Sequence, residues 1–73
     1  MNTKNTPYRA NIDCRSGRYD VALWAPGEGR PGTNDLRATT DDEALAELDA
    51  MAKAYGWNIV NVFLVHRAWK KVR

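Results

Sequence analysis

Two stretches of period-two alternation around a two-residue turn, a capped helical pattern after them and a closing β-branched run predict an α+β fold. The predicted order is ββαβ, a three-stranded antiparallel sheet of order 2-1-3 with one helix packed on one face.

From Tyr8 to Arg15, Tyr8, Ala10, Ile12 and Cys14 alternate with Arg9, Asn11, Asp13 and Arg15, the period of a half-buried strand. From Arg18 to Trp24 the alternation returns, with Tyr19, Val21 and Leu23 against Arg18, Asp20, Ala22 and Trp24. Only Ser16 and Gly17 lie between, which predicts a tight hairpin. Closing it there sets Cys14 opposite Tyr19, Ile12 opposite Val21 and Ala10 opposite Leu23, so both apolar sets share a face. A slip of one residue would turn one set into water. The same register pairs Arg15 with Arg18, Asp13 with Asp20, and Arg9 with Trp24 on the outer face, where the arginine can lie over the ring.

Residues 25–38 hold Pro26, Gly27, Gly29, Pro31 and Gly32, a density of turn formers that predicts a long loop without regular structure. Thr40 followed by Glu43 fits a capping box. Leu45, Leu48, Ala52 and Tyr55 recur at helical spacing beside Met51, and Gly56 is the expected left-handed stop, so the helix spans 41–55. The final strand is predicted from Asn58 to about Trp69, with Val60, Val62 and Leu64 on one face and Ile59, Phe63 and Val65 on the other.

A chain of 73 residues holds one core. The organisation expected is a flexible tail over 1–7, a single domain over 8–69 and a basic tail over 70–73. Residues 1–7 lack the apolar stretch of a secretion signal. With Cys14 as the single cysteine, a reducing cytoplasm is the expected location. No apolar run approaches bilayer thickness, so no membrane partner is expected, and the chain is read as a monomer. Charge is unevenly spread. Asp41, Asp42, Glu43, Glu47 and Asp49 load the helix, whereas the last eighteen positions carry Arg67, Lys70, Lys71 and Arg73 without an acid.

Cys14 and His66 could serve as nucleophile and base with Asp13 or Asp20 orienting the histidine. The plainer reading is stronger: Cys14 faces the core as a small hydrophobe, and the bases around His66 oppose its protonation. One cysteine and one histidine cannot supply a zinc site, and the acids at 41–43 suffice as helix-capping residues. Gly27 to Gly32 lacks the ending of a phosphate-binding loop. No cofactor and no catalytic set is therefore predicted.

The run His66, Arg67, Trp69, Lys70, Lys71 and Arg73 interleaves bases with an aromatic and is the strongest functional signal, against a plain reading as a solvated tail that blunts an edge strand. Arg9, Arg15, Arg18 and Trp24 on the outer face and Arg30 in the loop complete the predicted partner-binding set. Nine acids nearly offset eleven bases, so a protein partner ranks before nucleic acid.

The ββαβ layout, with strand Tyr8–Arg15, turn Ser16–Gly17 and helix 41–55, resembles the small bacteriophage host-takeover proteins. Within that group it is similar to lytic-phage regulators that bind the β′ subunit of bacterial RNA polymerase. The resemblance implies a phage protein that inhibits host transcription initiation and suppresses termination by contact near the RNA exit path. No family residue maps onto this chain, and another phage inhibitor class, such as an anti-CRISPR protein, would fit the same layout equally well.

Overall fold

The computed structural model describes residues 6–73; most of the predicted amino-terminal tail, 1–5, lies outside them. The hairpin forms in the predicted register, β1 (Pro7–Arg15) against β2 (Arg18–Trp24), with Cys14 opposite Tyr19, Ile12 opposite Val21 and Ala10 opposite Leu23. Ser16 and Gly17 both hold positive φ, 51° and 78°, as in the turn whose twist matches a hairpin.

The sheet has five strands rather than three, in the order β3-β2-β1-β4-β5. Inside the predicted loop 25–38, β3 (Gly32–Asp35) pairs antiparallel with β2. Its residues Gly32, Asn34 and Asp35 are poor strand formers, and the hydrogen bonds of the segment to β2 override that preference. Helix α1 (Asp41–Tyr55) has the predicted bounds, with Thr40 Oγ1 accepting from the Glu43 amide and Gly56 left-handed at φ 73°. Glu43 reaches back to the Thr39 amide and hydroxyl rather than to Thr40. Glu47 accepts from the Arg37 and Ala38 amides, which ties the segment after β3 to the helix. Ala44 and Leu48 are the buried residues of α1, whereas Tyr55, expected on the packed face, is 67% exposed and stacks on Trp57.

The last long strand, β4 (Asn58–Leu64), lies beside β1 as expected but runs parallel to it, so the sheet is mixed. The unpredicted β3 reverses the chain once more between β2 and α1, so the crossover through the helix delivers β4 in the direction of β1. A bulge interrupts this pair: Tyr8 pairs with Ile59 and Arg9 with Asn61, leaving Val60 as the extra residue. The alternation is reset there, so Ile59 packs against the core and Val60, expected inside, is 47% exposed.

The strand predicted to reach Trp69 stops at Leu64 and gives way to a 3-10 turn, Val65–Arg67. Ala68 and Trp69 follow with φ 57° and 59°, and β5 (Lys70–Lys71) returns antiparallel along β4. Val72 donates to the Val62 carbonyl and packs on the core, so the segment read as a basic tail belongs to the sheet. The core lies between α1 and one face of the sheet, centred on Ile12, Val21, Leu48 and Val62. Among the described residues, no element covers the opposite face.

Candidate protein interface

Strand pairing places the outward side chains in transverse rows. At the centre, Thr33, Ala22, Asn11, Phe63 and Lys71 are successive partners across all five strands. Two residues nearer the Ser16–Gly17 turn lie Asp13, Asp20 and Asp35, and beyond them Arg15 and Arg18. On the other side of the central row stand Trp24, Arg9 and Asn61.

The Arg9 guanidinium lies over the Trp24 ring, 5.9 Å from its centroid, a geometry that fixes both side chains at the surface. Beside them the bulge turns Val60 outward, and Pro7, Arg9, Trp24, Pro26, Val60 and Asn61 line an open cleft of about 370 Å³. Toward the β5 end of the central row the Phe63 and Trp69 rings meet edge to face at 6.4 Å. Trp69 is 56% exposed although its backbone is left-handed, a conformation that costs a non-glycine residue about 1 kcal/mol. Between the two aromatic pairs Asn11 is 7% exposed, and its Oδ1 has no hydrogen-bond partner among the described residues.

Arg15 pairs with Asp13 at 3.1 Å, whereas Arg18 makes no ion pair among the described residues. Arg30 is exposed in the connection to β3 and makes no ion pair among the described residues. Lys70 and Lys71 are exposed on the edge strand without an ion pair among the described residues, and Lys71 alone of the two shares the outer face with Phe63.

The remaining bases of the predicted run turn to acids of the helix. Arg73 embraces Asp49 of α1 with both guanidinium nitrogens, the Nη2 contact at 2.6 Å. His66 and Arg67 converge on Asp41, at the start of α1. The Asp41 Oδ1 accepts from the Tyr19 hydroxyl at 2.6 Å and lies 2.7 Å from His66 Nε2, and its Oδ2 accepts from Arg67 Nε at 2.8 Å. His66 therefore faces an acid as well as bases. Neither Asp13 nor Asp20, the residues considered as its orienting acid, is that partner.

These three donors, Tyr19 first, hold the Asp41 carboxyl well below the usual carboxylate range. The bond to the ionised Asp41 in turn pushes Tyr19 up to about 12, with burial adding to it. A carboxylate only accepts, so His66 carries a proton on Nε2, and its Nδ1 is buried without a partner among the described residues. Tyr19 keeps its proton and Nδ1 is shut from solvent, so the cluster is built to hold elements together. It fastens β2, α1 and the 3-10 turn at one point.

Sequence reasoning found Arg9 and Trp24 on the outer face, the tryptophan half-buried there, and Trp69, Lys70 and Lys71 exposed. It missed Val60, because a bulge leaves no compositional trace, and Phe63, because its partner Trp69 returns only through a turn. Asp41 and Asp49 were legible only as helix-dipole acids. No protein-family model, curated protein or solved structure matches the chain.

Proposed function

We propose that this protein is a small protein-binding regulator that docks through the uncovered face of its sheet. One observation carries the reading: two aromatic pairs, Arg9 with Trp24 and Phe63 with Trp69, stand on a face that no described element covers. Tryptophan and arginine at a sheet surface are the residue types that dominate binding energy when a partner excludes water from them. The Val60 bulge and the left-handed Trp69 both place apolar groups outward at a cost in local geometry, as binding surfaces do.

The partner proposed is bacterial RNA polymerase, with inhibition of host transcription as the outcome; its support is the resemblance in size and layout to phage host-takeover regulators. A second reading, single-stranded nucleic acid, is favoured by Lys70 and Lys71 beside the exposed Trp69. The aspartates of the neighbouring row oppose a phosphate backbone and keep this reading second. No described helix is long and apolar enough to cross a membrane.

The test is an affinity pull-down from bacterial lysate, with and without nuclease, using the wild type and a Trp24→Ala/Trp69→Ala variant. Polymerase subunits retained after nuclease by the wild type and lost by the variant support the proposal. Recovery that vanishes with nuclease transfers the function to nucleic acid.

A further inference from the structure

The charges of the outer face complement themselves. Counted along β1 from Asn11, Asp13 stands two residues one way with Asp20 and Asp35 in its row, and Arg9 stands two residues the other way. Asp13 is engaged by Arg15, whereas Asp20 and Asp35, directly opposite one another, have no ion-pair partner among the described residues. Like charges so placed destabilise a sheet. A cation set down over the row would relieve them, and Arg18, beyond Asp20 on its own strand, makes no such pair.

Consider a second copy turned by half a revolution about the Thr33–Ala22–Asn11–Phe63–Lys71 row and laid face to face on the first. Strand direction reverses while the central row lies on itself. Arg9 of each copy then falls over Asp13 of the other and Trp24 over Asp20, whose nearest cation across the contact is the Arg9 guanidinium carried over the Trp24 ring; Phe63 meets Phe63. Asn11 meets Asn11 on the axis, where a mutual amide pair supplies the donor its Oδ1 lacks once the neighbouring side chains give way. Arg15 and Arg18 overlie the uncharged end at Pro7. Of the charged residues only Lys71 faces its own kind, at the exposed rim where salt screens it.

We infer that the uncovered face self-associates into this two-fold, face-to-face dimer. The inference goes beyond the docking reading: a different partner using the same face must displace the second copy. Five strands about 4.8 Å apart give a contact smaller than the roughly 800 Å² per partner of a standard interface, so the dimer is weak and reversible.

Sedimentation equilibrium of the full chain from about 1 μM to about 1 mM tests it. The wild type, Arg9→Asp, Asp20→Arg and the double reversal are compared, with circular dichroism as the check on fold. The wild type should dimerise with rising concentration, each single reversal should weaken the dimer about tenfold or more, and the double reversal should restore it. A wild type monomeric over the whole range, single variants that associate like the wild type, or a folded double variant that stays monomeric would each overturn the inference. A monomeric wild type leaves heterologous docking standing, and a failed pull-down leaves the dimer standing.

Discussion

The Tyr19 hydroxyl donates a 2.6 Å hydrogen bond to Asp41 Oδ1 and so ties the second strand to the first residue of the helix. The bond raises Tyr19 above its ordinary value of 10.0, to about 12. A group whose pKa is raised on folding contributes stability that is whole below the unfolded value and is lost as pH climbs through the folded one. Stability is therefore expected to fall between about pH 10 and pH 12. Tyr19→Phe should lower the melting temperature at neutral pH and remove this part of the alkaline loss in thermal melts across pH.

Asp41 gives the opposite limb. Its carboxyl is depressed from an ordinary value of 3.8, so its contribution is present above that pH and lost as pH falls further. Glu43, held down by the Thr39 amide, and Asp49, held down by Arg73, act in the same sense. Asp41→Asn should destabilise the protein at neutral pH and flatten, without abolishing, the loss of stability below about pH 4. Urea titrations at several pH values measure both effects.

The hairpin register and the bounds of α1 were legible because each is written locally, in alternation around Ser16–Gly17 and between Thr40 and Gly56. The parallel pairing of β1 with β4, the edge strand Gly32–Asp35 and the return of Lys70–Lys71 were not, because hydrogen bonds to a distant strand create them. The Tyr19, Asp41 and His66 cluster joins positions more than twenty residues apart whose local roles, strand, cap and basic run, gave no sign of a meeting. On the candidate face, Trp24 and Arg9 followed from the register alone, whereas Val60 required the bulge.

That bulge separates two valines that alternation treats alike. Val62 is fully buried and Val60 is half exposed. Val62→Ala should cost about 2 kcal/mol, whereas Val60→Thr should change stability by less than about 0.5 kcal/mol. Denaturant midpoints of the two variants check the contrast, and Val60→Thr should weaken partner capture through the cleft it lines.

Ala68 and Trp69 are successive left-handed residues without a glycine. Ala68→Gly should raise stability by about 0.5 to 1 kcal/mol, since glycine adopts this conformation freely. The same freedom loosens the hold on the exposed Trp69, so capture of the partner should weaken as the melting temperature rises.

Of the bases at the carboxyl end, Arg67 and Arg73 are engaged with Asp41 and Asp49. Lys70→Ala/Lys71→Ala should leave the melting temperature within a few degrees of wild type, whereas Arg67→Ala should lower it. A Lys70/Lys71 variant with unchanged partner affinity would remove the edge strand from the contact surface.

The central strand of the sheet is also the earliest, and one of its two neighbours comes near the close of the chain, with Pro7 paired to Asn58 and Ile12 to Leu64. Pairings so distant in sequence slow the search for the folded state. During synthesis the hairpin emerges with one edge of β1 bare and Ala10 and Ile12 uncovered until β4 and the helix arrive. Folding is therefore expected to complete only after Leu64 has cleared the ribosome, leaving the nascent hairpin dependent on chaperones or on rapid translation to escape aggregation.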